Sequence, residues 1–217
     1  MGHFNDCLSV LPPTKALLAQ MTIIRDESTQ MRRFIAAFQL VALQLVLQAL
    51  ELVSVEVVNV TTPTKALFEG VRQVRPLCGI SILRAGASIE DALRTAYGGP
   101  LSFGKILIQR DEETCLPSHL YSKLPSNIAE SDVFILEPML ATGGSICKAI
   151  DIVAENGVPF KRIVVISILA SKQAIELVLG KYPGLSIVTA AIDKKLNAKG
   201  QIEPGLGDFG DRFFGTI

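Results

Sequence analysis

The residues best suited to chemistry cluster in Val133-Phe-Ile-Leu-Glu-Pro-Met-Leu-Ala-Thr-Gly-Gly-Ser145, an apolar run ending in a carboxylate and then in a loop of small side chains. Glu137 stands six residues before Gly143. Ala141, Thr142, Gly143, Gly144 and Ser145 carry little bulk, and apolar residues at helical spacing resume with Ile146, Ala149, Ile150 and Val153. A strand, a glycine loop and a helix start point free backbone N–H groups at an anion, and the helix dipole adds roughly half a positive charge there. A carboxylate beside such a cradle suits a ligand with hydroxyls next to a phosphate, such as a ribose 5-phosphate. The charge-assisted bond it would accept is worth about 1.5–3 kcal/mol. The loop lacks the Lys of G-x-x-x-x-G-K-[ST] and the spacing of a dinucleotide fingerprint, so neither a P-loop nor a Rossmann cofactor site fits. Taken by itself, Thr-Gly-Gly-Ser also suits a plain turn with an N-cap.

These residues need a scaffold. Val133 to Leu136 has no polar alternation, which predicts a strand buried on both faces. Leu77–Leu83, Gly104–Gln109, Ile163–Leu169 and Ile187–Ile192 are similar runs, each followed by a helical pattern. The fold predicted is α/β, a central mostly parallel sheet with helices on both faces. Ligands of such sheets sit at the carboxyl ends of the strands, where Arg84, Arg110, Glu137 and Asp193 all fall. Arg84 precedes Ala85-Gly86, where backbone could approach a ligand closely, and Arg110 opens the charge run Asp111, Glu112, Glu113, which alone reads as a solvated turn.

Upstream, Gln30 to Val53 is apolar over about twenty residues, the length a membrane span needs. Gln39, Gln44, Gln48 and Glu51 mark one side at helical spacing, and Phe34, Ile35, Phe38, Leu45 and Ala49 the other. That predicts a long amphipathic helix capped by Ser28 or Thr29. Val55 to Val60, then Thr61-Thr-Pro-Thr-Lys65, predicts a β-hairpin arm over about residues 55–75. With no repeat or linker, residues 1–217 read as one domain, with the helix and the arm in a subunit interface.

Lys plus Arg and Asp plus Glu number 21 each, so no net field favours nucleic acid or an anionic membrane. A hydrophobic content of 49% points to apolar surface hidden between subunits, in a homodimer or homotetramer. Cys7, Cys78, Cys115 and Cys147 form no C-x-x-C pair, and Met1 to Leu11 has no signal-peptide pattern, so a reduced, cytoplasmic location is expected. His3 and His119 are too few for a histidine metal cluster or a Ser-His-Asp triad.

Leu136-Glu-Pro-Met-Leu-Ala-Thr-Gly-Gly-Ser145 resembles the 5-phosphoribosyl 1-pyrophosphate (PRPP) loop of type I phosphoribosyltransferases, in the Pro-Met-Leu-Ala form typical of the uracil branch. Ile82-Leu-Arg-Ala-Gly86, Gln109-Arg-Asp-Glu-Glu-Thr114 and Pro204-Gly-Leu-Gly-Asp-Phe-Gly-Asp-Arg-Phe-Phe-Gly-Thr216 match in the same order. The chain is thus identified as a member of the uracil phosphoribosyltransferase family. The resemblance implies that uracil and PRPP give UMP and pyrophosphate, in pyrimidine salvage, with Mg²⁺ as cofactor.

It also implies roles. Arg84 and Arg110 take the diphosphate, to which a planar guanidinium fork is suited. Glu137 takes the ribose. Pro138, Met139, Leu140 and Ala141 complete the PRPP loop, and Thr142, Gly143, Gly144 and Ser145 hold the 5-phosphate. Ile202, Gly207, Asp208 and Phe209 line the uracil pocket, with Asp208 also facing PRPP. A cis peptide between Arg84 and Ala85 and a mobile flap carrying Lys123 belong to the same expectation.

The C-terminal run is too glycine-rich for a helix or strand and can present main chain edge-on to a flat ring. Uracil offers an acceptor-donor-acceptor row; cytosine would leave buried groups unpaired. No covalent nucleophile stands out, so catalysis would rest on positioning and charge stabilisation, with Mg²⁺ held mainly through substrate oxygens. This sequence departs from the family at Glu137, where Asp is commoner, at Gln201 for Tyr, at Lys172-Gln-Ala174 for a Pro-Glu-Gly turn, and at Lys65 for Gly. Two other functions stay open: transfer to another base, or a non-catalytic regulator that binds PRPP or a nucleotide. GTP, which activates some relatives, enters as a candidate effector.

Overall fold

A computed structural model describes residues 7–110 and 117–216, with main chain only at Arg110 and Pro117. The first part runs β1 (Leu8–Val10), α1 (Lys15–Arg25), α2 (Met31–Leu50), β2 (Val55–Thr61), β3 (Leu67–Gln73), β4 (Leu77–Leu83), a 3₁₀ turn (Ala85–Ile89), α3 (Glu90–Ala96) and β5 (Leu101–Arg110). There follow β6 (Pro117–Lys123), β7 (Asp132–Leu136), β8 (Met139–Leu140), α4 (Gly144–Glu155), β9 (Ile163–Ser171), α5 (Lys172–Lys181), β10 (Ser186–Asp193), β11 (Lys195–Leu196), β12 (Ile202–Glu203) and α6 (Phe209–Phe214).

The main sheet has the order β1-β10-β9-β7-β4-β5-β6, with β8 paired to β9. Every pairing is parallel except β5 with β6. The apolar runs are these strands because they are covered twice: every residue of β7 and β9 is buried. One core packs α1, α2, α3 and α6 on one face of the sheet, and a second packs α4 and α5 on the other. The strand after β5 corrects the expectation of a helix there. Lys123 accordingly ends an antiparallel strand, opposite Lys105.

α2 is long and apolar enough to cross a membrane by length and composition. Here its buried stripe, Phe34, Ala37, Phe38, Val41, Ala42, Leu45, Val46 and Ala49, faces the core. Its N-cap is Gln30, with no side-chain cap bond, rather than Ser28 or Thr29. Ser28 is used elsewhere: its N–H and hydroxyl both donate to Asp26 Oδ1, at 2.9 and 2.7 Å. Those bonds hold the Asp26 carboxyl below its ordinary pKa.

β2 and β3 form a separate two-stranded arm paired without a bulge from Val55↔Gln73 to Thr61↔Leu67. Lys65 closes its turn at φ 66°, a left-handed conformation that costs a side chain with a Cβ. Lys65→Gly is therefore expected to stabilise the protein by about 0.5 kcal/mol, after the glycine's extra unfolded-state entropy, raising Tm by about 1–2 °C. A thermal melt checks this, and a lower Tm would refute it.

Candidate active site

The cradle is built on the tip of β7. Glu137 N–H donates to the Ile166 carbonyl at 3.1 Å, and the Pro138 carbonyl accepts from Ile168 and Leu169 N–H at 3.0 and 3.1 Å and from the Ser167 hydroxyl at 3.0 Å. Pro138 thus fastens the loop to β9. The Ser171 hydroxyl donates to the Ala141 carbonyl at 2.5 Å and accepts from Ala174 N–H at 2.9 Å, capping α5 while it holds the loop. Lys172-Gln-Ala174 is thereby the first turn of α5.

Gly143 precedes α4 at φ 88°, and a Cβ there would lie 2.9 Å from Leu177 Cδ2. The buried face of α4, with Ile146, Ala149, Ile150 and Val153, fixes its first turn at the mouth of a cavity of about 210 Å³. Glu137 and residues 139–146 line this cavity. The first-turn N–H groups of a twelve-residue helix have no intrahelical acceptors and favour an anion there.

The second wall comes from the chain's last quarter. Asp193, buried at the end of β10, takes a two-pronged ion pair from Arg25 at 2.8 and 2.9 Å. Arg25 also donates to the Gly205 carbonyl at 2.8 Å, and Gly205 N–H donates to Asp193 at 2.9 Å. Gly205 can sit there only as glycine, since at φ 63° its Cβ would meet the Ile202 carbonyl at 2.1 Å. Asp193 is thus a structural anchor. Arg212 donates to the carbonyls of Ile24, Leu206 and Asp26 at 2.6–2.7 Å. Burial pushes its pKa down from the ordinary arginine value, against the pull of Asp26.

Residues 209–214 are helical, which corrects the expectation of an irregular segment. Asp208 caps this helix by accepting from Asp211 N–H at 2.9 Å. Phe209 is buried against Phe34 and Phe38, with ring centroids 5.7 and 4.9 Å away. A cavity of about 450 Å³ lies under this segment, lined by Ala85, Met139, Ala141, residues 197, 199–204 and residues 207–210. Its rim is a tight turn in which Asn197 Oδ1 accepts from Lys199 and Gln201 N–H, and Asn197 Nδ2 donates to Gln201 Oε1 at 2.9 Å.

Met139 and Ala141 belong to both cavities, so the cradle and the C-terminal loop share walls. A Cβ on Gly200 would be 3.3 Å from Thr142 Cγ2, which brings the same two segments into contact at the rim.

Arg84 stands beside them. The non-proline cis peptide is Leu83–Arg84, one bond earlier than expected. The Arg84 carbonyl accepts from Ala87 N–H at 3.2 Å, so the peptide after Arg84 already belongs to the 3₁₀ turn. Gly86 is required by protein rather than ligand: its Cβ would lie 2.1 Å from the Leu136 carbonyl. The Arg84 guanidinium reaches Asp211 and Thr216, both at 3.3 Å.

The structure therefore gathers Arg84, Glu137, Met139 to Ser145, Ile202, Gly207, Asp208 and Phe209. The Arg110 side chain, residues 111–116 and His3 lie outside what is described. Among the described residues no three His, Cys, Asp or Glu side chains converge as a metal site. Sequence reasoning missed Arg25, Ser171, Asp211 and Thr216. Only Ser171, a capping residue between an apolar strand and a helix start, carried a readable signal.

A glycine cradle behind a strand-tip acid, closed by a second wall at the carboxyl edge of a parallel sheet, defines a phosphoribosyltransferase of type I fold. A hypoxanthine-guanine phosphoribosyltransferase from Bacillus anthracis shares that fold at TM-score 0.51 and 12% identity, over 73% of this chain and 78% of its own. The AQ2163 protein from Aquifex aeolicus superposes at TM-score 0.84 and 26% identity, over 95% of this chain and 97% of its own.

The family profile described as uracil phosphoribosyltransferase matches residues 11–216. A uracil phosphoribosyltransferase of Dictyostelium discoideum is 44% identical over 207 residues, 95% of each chain, and that of Lachancea kluyveri is 44% identical over 205 residues, 94% of each. The chain belongs to the uracil phosphoribosyltransferase family.

Proposed function

We propose that this chain transfers the 5-phosphoribosyl group of PRPP to N1 of uracil, giving UMP and pyrophosphate in pyrimidine salvage. The observation that carries the reading is the pair of adjoining cavities, an anion cradle of about 210 Å³ and a main-chain-lined space of about 450 Å³ with Met139 and Ala141 in common. Ribose C1′ would lie where they meet. There the bond from C1′ to the diphosphate oxygen breaks, the bond to N1 forms, and N1 loses its proton.

Residues 142–145 and the α4 N-terminus would hold the 5-phosphate, Glu137 the ribose hydroxyls, and Arg84 with Arg110 the diphosphate. Ile202, Gly207, Asp208 and Phe209 would seat uracil. Positioning and matched charge then carry the rate, since C1′ becomes electron-poor as the leaving group gains charge. Among the described residues no acidic cluster forms a metal site, which suits a Mg²⁺ that would arrive on the diphosphate, with Asp208 helping to order its water shell. Bound there, the ion would neutralise the leaving group.

A cytoplasmic location and a homo-oligomer complete the reading. Val57, Leu67 and Val71 of the arm are each more than 60% exposed, which suits burial against a second copy. GTP as an activator is part of the proposal only by family likeness.

The test is UMP formation from uracil, PRPP and Mg²⁺, with a panel of other bases alongside. Arg84→Ala should lose on the order of a hundredfold in kcat/KM with an unchanged melting curve, the scale of one lost charge-stabilising donor. PRPP binding by calorimetry without UMP formation would refute the reading.

A further inference from the structure

We propose that Asp211, braced by Thr216, is a positioning residue for Arg84, so that the helix seating the base also aims the diphosphate arginine. The inference rests on the function proposed above.

Arg84 is the last residue before a tight turn, its side chain is 56% exposed, and among the described residues its side-chain hydrogen bonds go outside its own loop. The contacts that fix it come from the far end of the chain. Arg84 donates from one terminal nitrogen to Asp211 Oδ1 and from the other to Thr216 Oγ1, both at 3.3 Å. Thr216 in turn donates to the same Asp211 oxygen at 2.6 Å, which closes a ring of three groups. The Phe214 ring lies 5.6 Å from the guanidinium carbon.

The anchor of this ring is rigid. Phe209 and Phe213 of α6 pack on Phe38 at 4.9 and 5.3 Å, and Asp211 N–H is tied to Asp208, while its carbonyl accepts from Gly215 and Thr216 N–H. A guanidinium has five N–H donors. Two are engaged by the clamp, which leaves the rest for a diphosphate while the flexible stem is held in one direction. Pre-ordering a long side chain removes rotamer entropy that a ligand would otherwise have to overcome.

The measurement is binding of magnesium pyrophosphate by calorimetry, with KM and kcat for PRPP beside it. Asp211→Ala should weaken pyrophosphate and raise KM for PRPP by about tenfold with kcat changed by less than about threefold, as expected when a charge-assisted, ordering contact is lost. Thr216→Val should move both in the same direction by a smaller factor, and it serves if Asp211→Ala does not fold. In an Arg84→Ala background, Asp211→Ala should have no further effect.

Pyrophosphate binding that is unchanged or tighter in Asp211→Ala would overturn the proposal, the tighter result showing that the carboxylate competes for Arg84. A full tenfold loss persisting in the Arg84→Ala background would also overturn it, as a general effect on α6. If the parent protein forms no UMP but its pyrophosphate binding follows this pattern, the function fails and the clamp stands. If UMP forms and the variants bind like the parent, the clamp alone fails.

Discussion

Replacing Gly86 by alanine should reduce kcat/KM by on the order of a hundredfold or more, the cost of displacing catalytic groups by about 1 Å. The added methyl would stand 2.1 Å from the Leu136 carbonyl carbon's oxygen, well inside contact distance. Neither side can yield cheaply. Leu136 is the last residue of a fully buried strand, and Gly86 sits in the 3₁₀ turn that follows Arg84. The turn must move away from the tip of β7, and Arg84 and Glu137, which flank the clash, must separate. Overpacking of this kind costs about 1–3 kcal/mol of stability, so the variant should fold with a Tm lower by roughly 2–12 °C. Steady-state kinetics and a melt decide it; near-parental turnover would mean that the two strand tips do not need this approach.

Arg25→Ala should have the next largest effect, and it should fall on the base. The substitution leaves a carboxylate at Asp193, whose side chain is 8% exposed, with the Gly205 N–H as its remaining side-chain partner among the described residues. Removing one partner of a buried pair costs about 3–5 kcal/mol, and because the Arg25 side chain is 25% exposed we expect about 2–3 kcal/mol here. That corresponds to a Tm fall of roughly 4–12 °C. Gly205 also loses the donor to its carbonyl, so the loop from Ile202 to Gly207 loosens over the larger cavity. KM for uracil should rise by roughly tenfold or more while KM for PRPP changes by less than about threefold, since the hydrogen bonds of this anchor go to the loop at Gly205 and not to the cradle. Arg25→Lys should fail to rescue, because an ammonium cannot replace the two-pronged fork. Equal changes in both KM values would sink the assignment of this pair to the base loop.

Much of this architecture was legible in the residues. β4 was readable to its ends, and β7 and β9 to within one or two residues, because strands buried on both faces are unbroken apolar runs. The cradle was legible for the same reason: its small residues are contiguous. β6 was hidden because His119, Ser122 and Lys123 give an edge strand no apolar signature, and it follows a charge run. α6 was hidden by Gly207 and Gly210, although Phe209 and Phe213 are spaced four apart and both face Phe38. Gly86 was assigned to ligand approach because its true neighbour, Leu136, lies in another strand. Arg25 with Asp193, and Arg84 with Asp211, could not be seen, since pairings across 168 and 127 positions leave no local pattern.

The span of the Arg25 anchor bears on when the enzyme becomes competent. Its partners are separated by 168 and 180 positions, so the arginine waits during translation for a loop made well over a hundred residues later. Synthesis runs from the amino end at a finite pace, and the sheet can begin to assemble before that loop leaves the ribosome. The glycine cradle can thus form on a nascent chain, whereas the wall proposed to seat the base closes only when Arg25 meets a loop translated 180 residues after it.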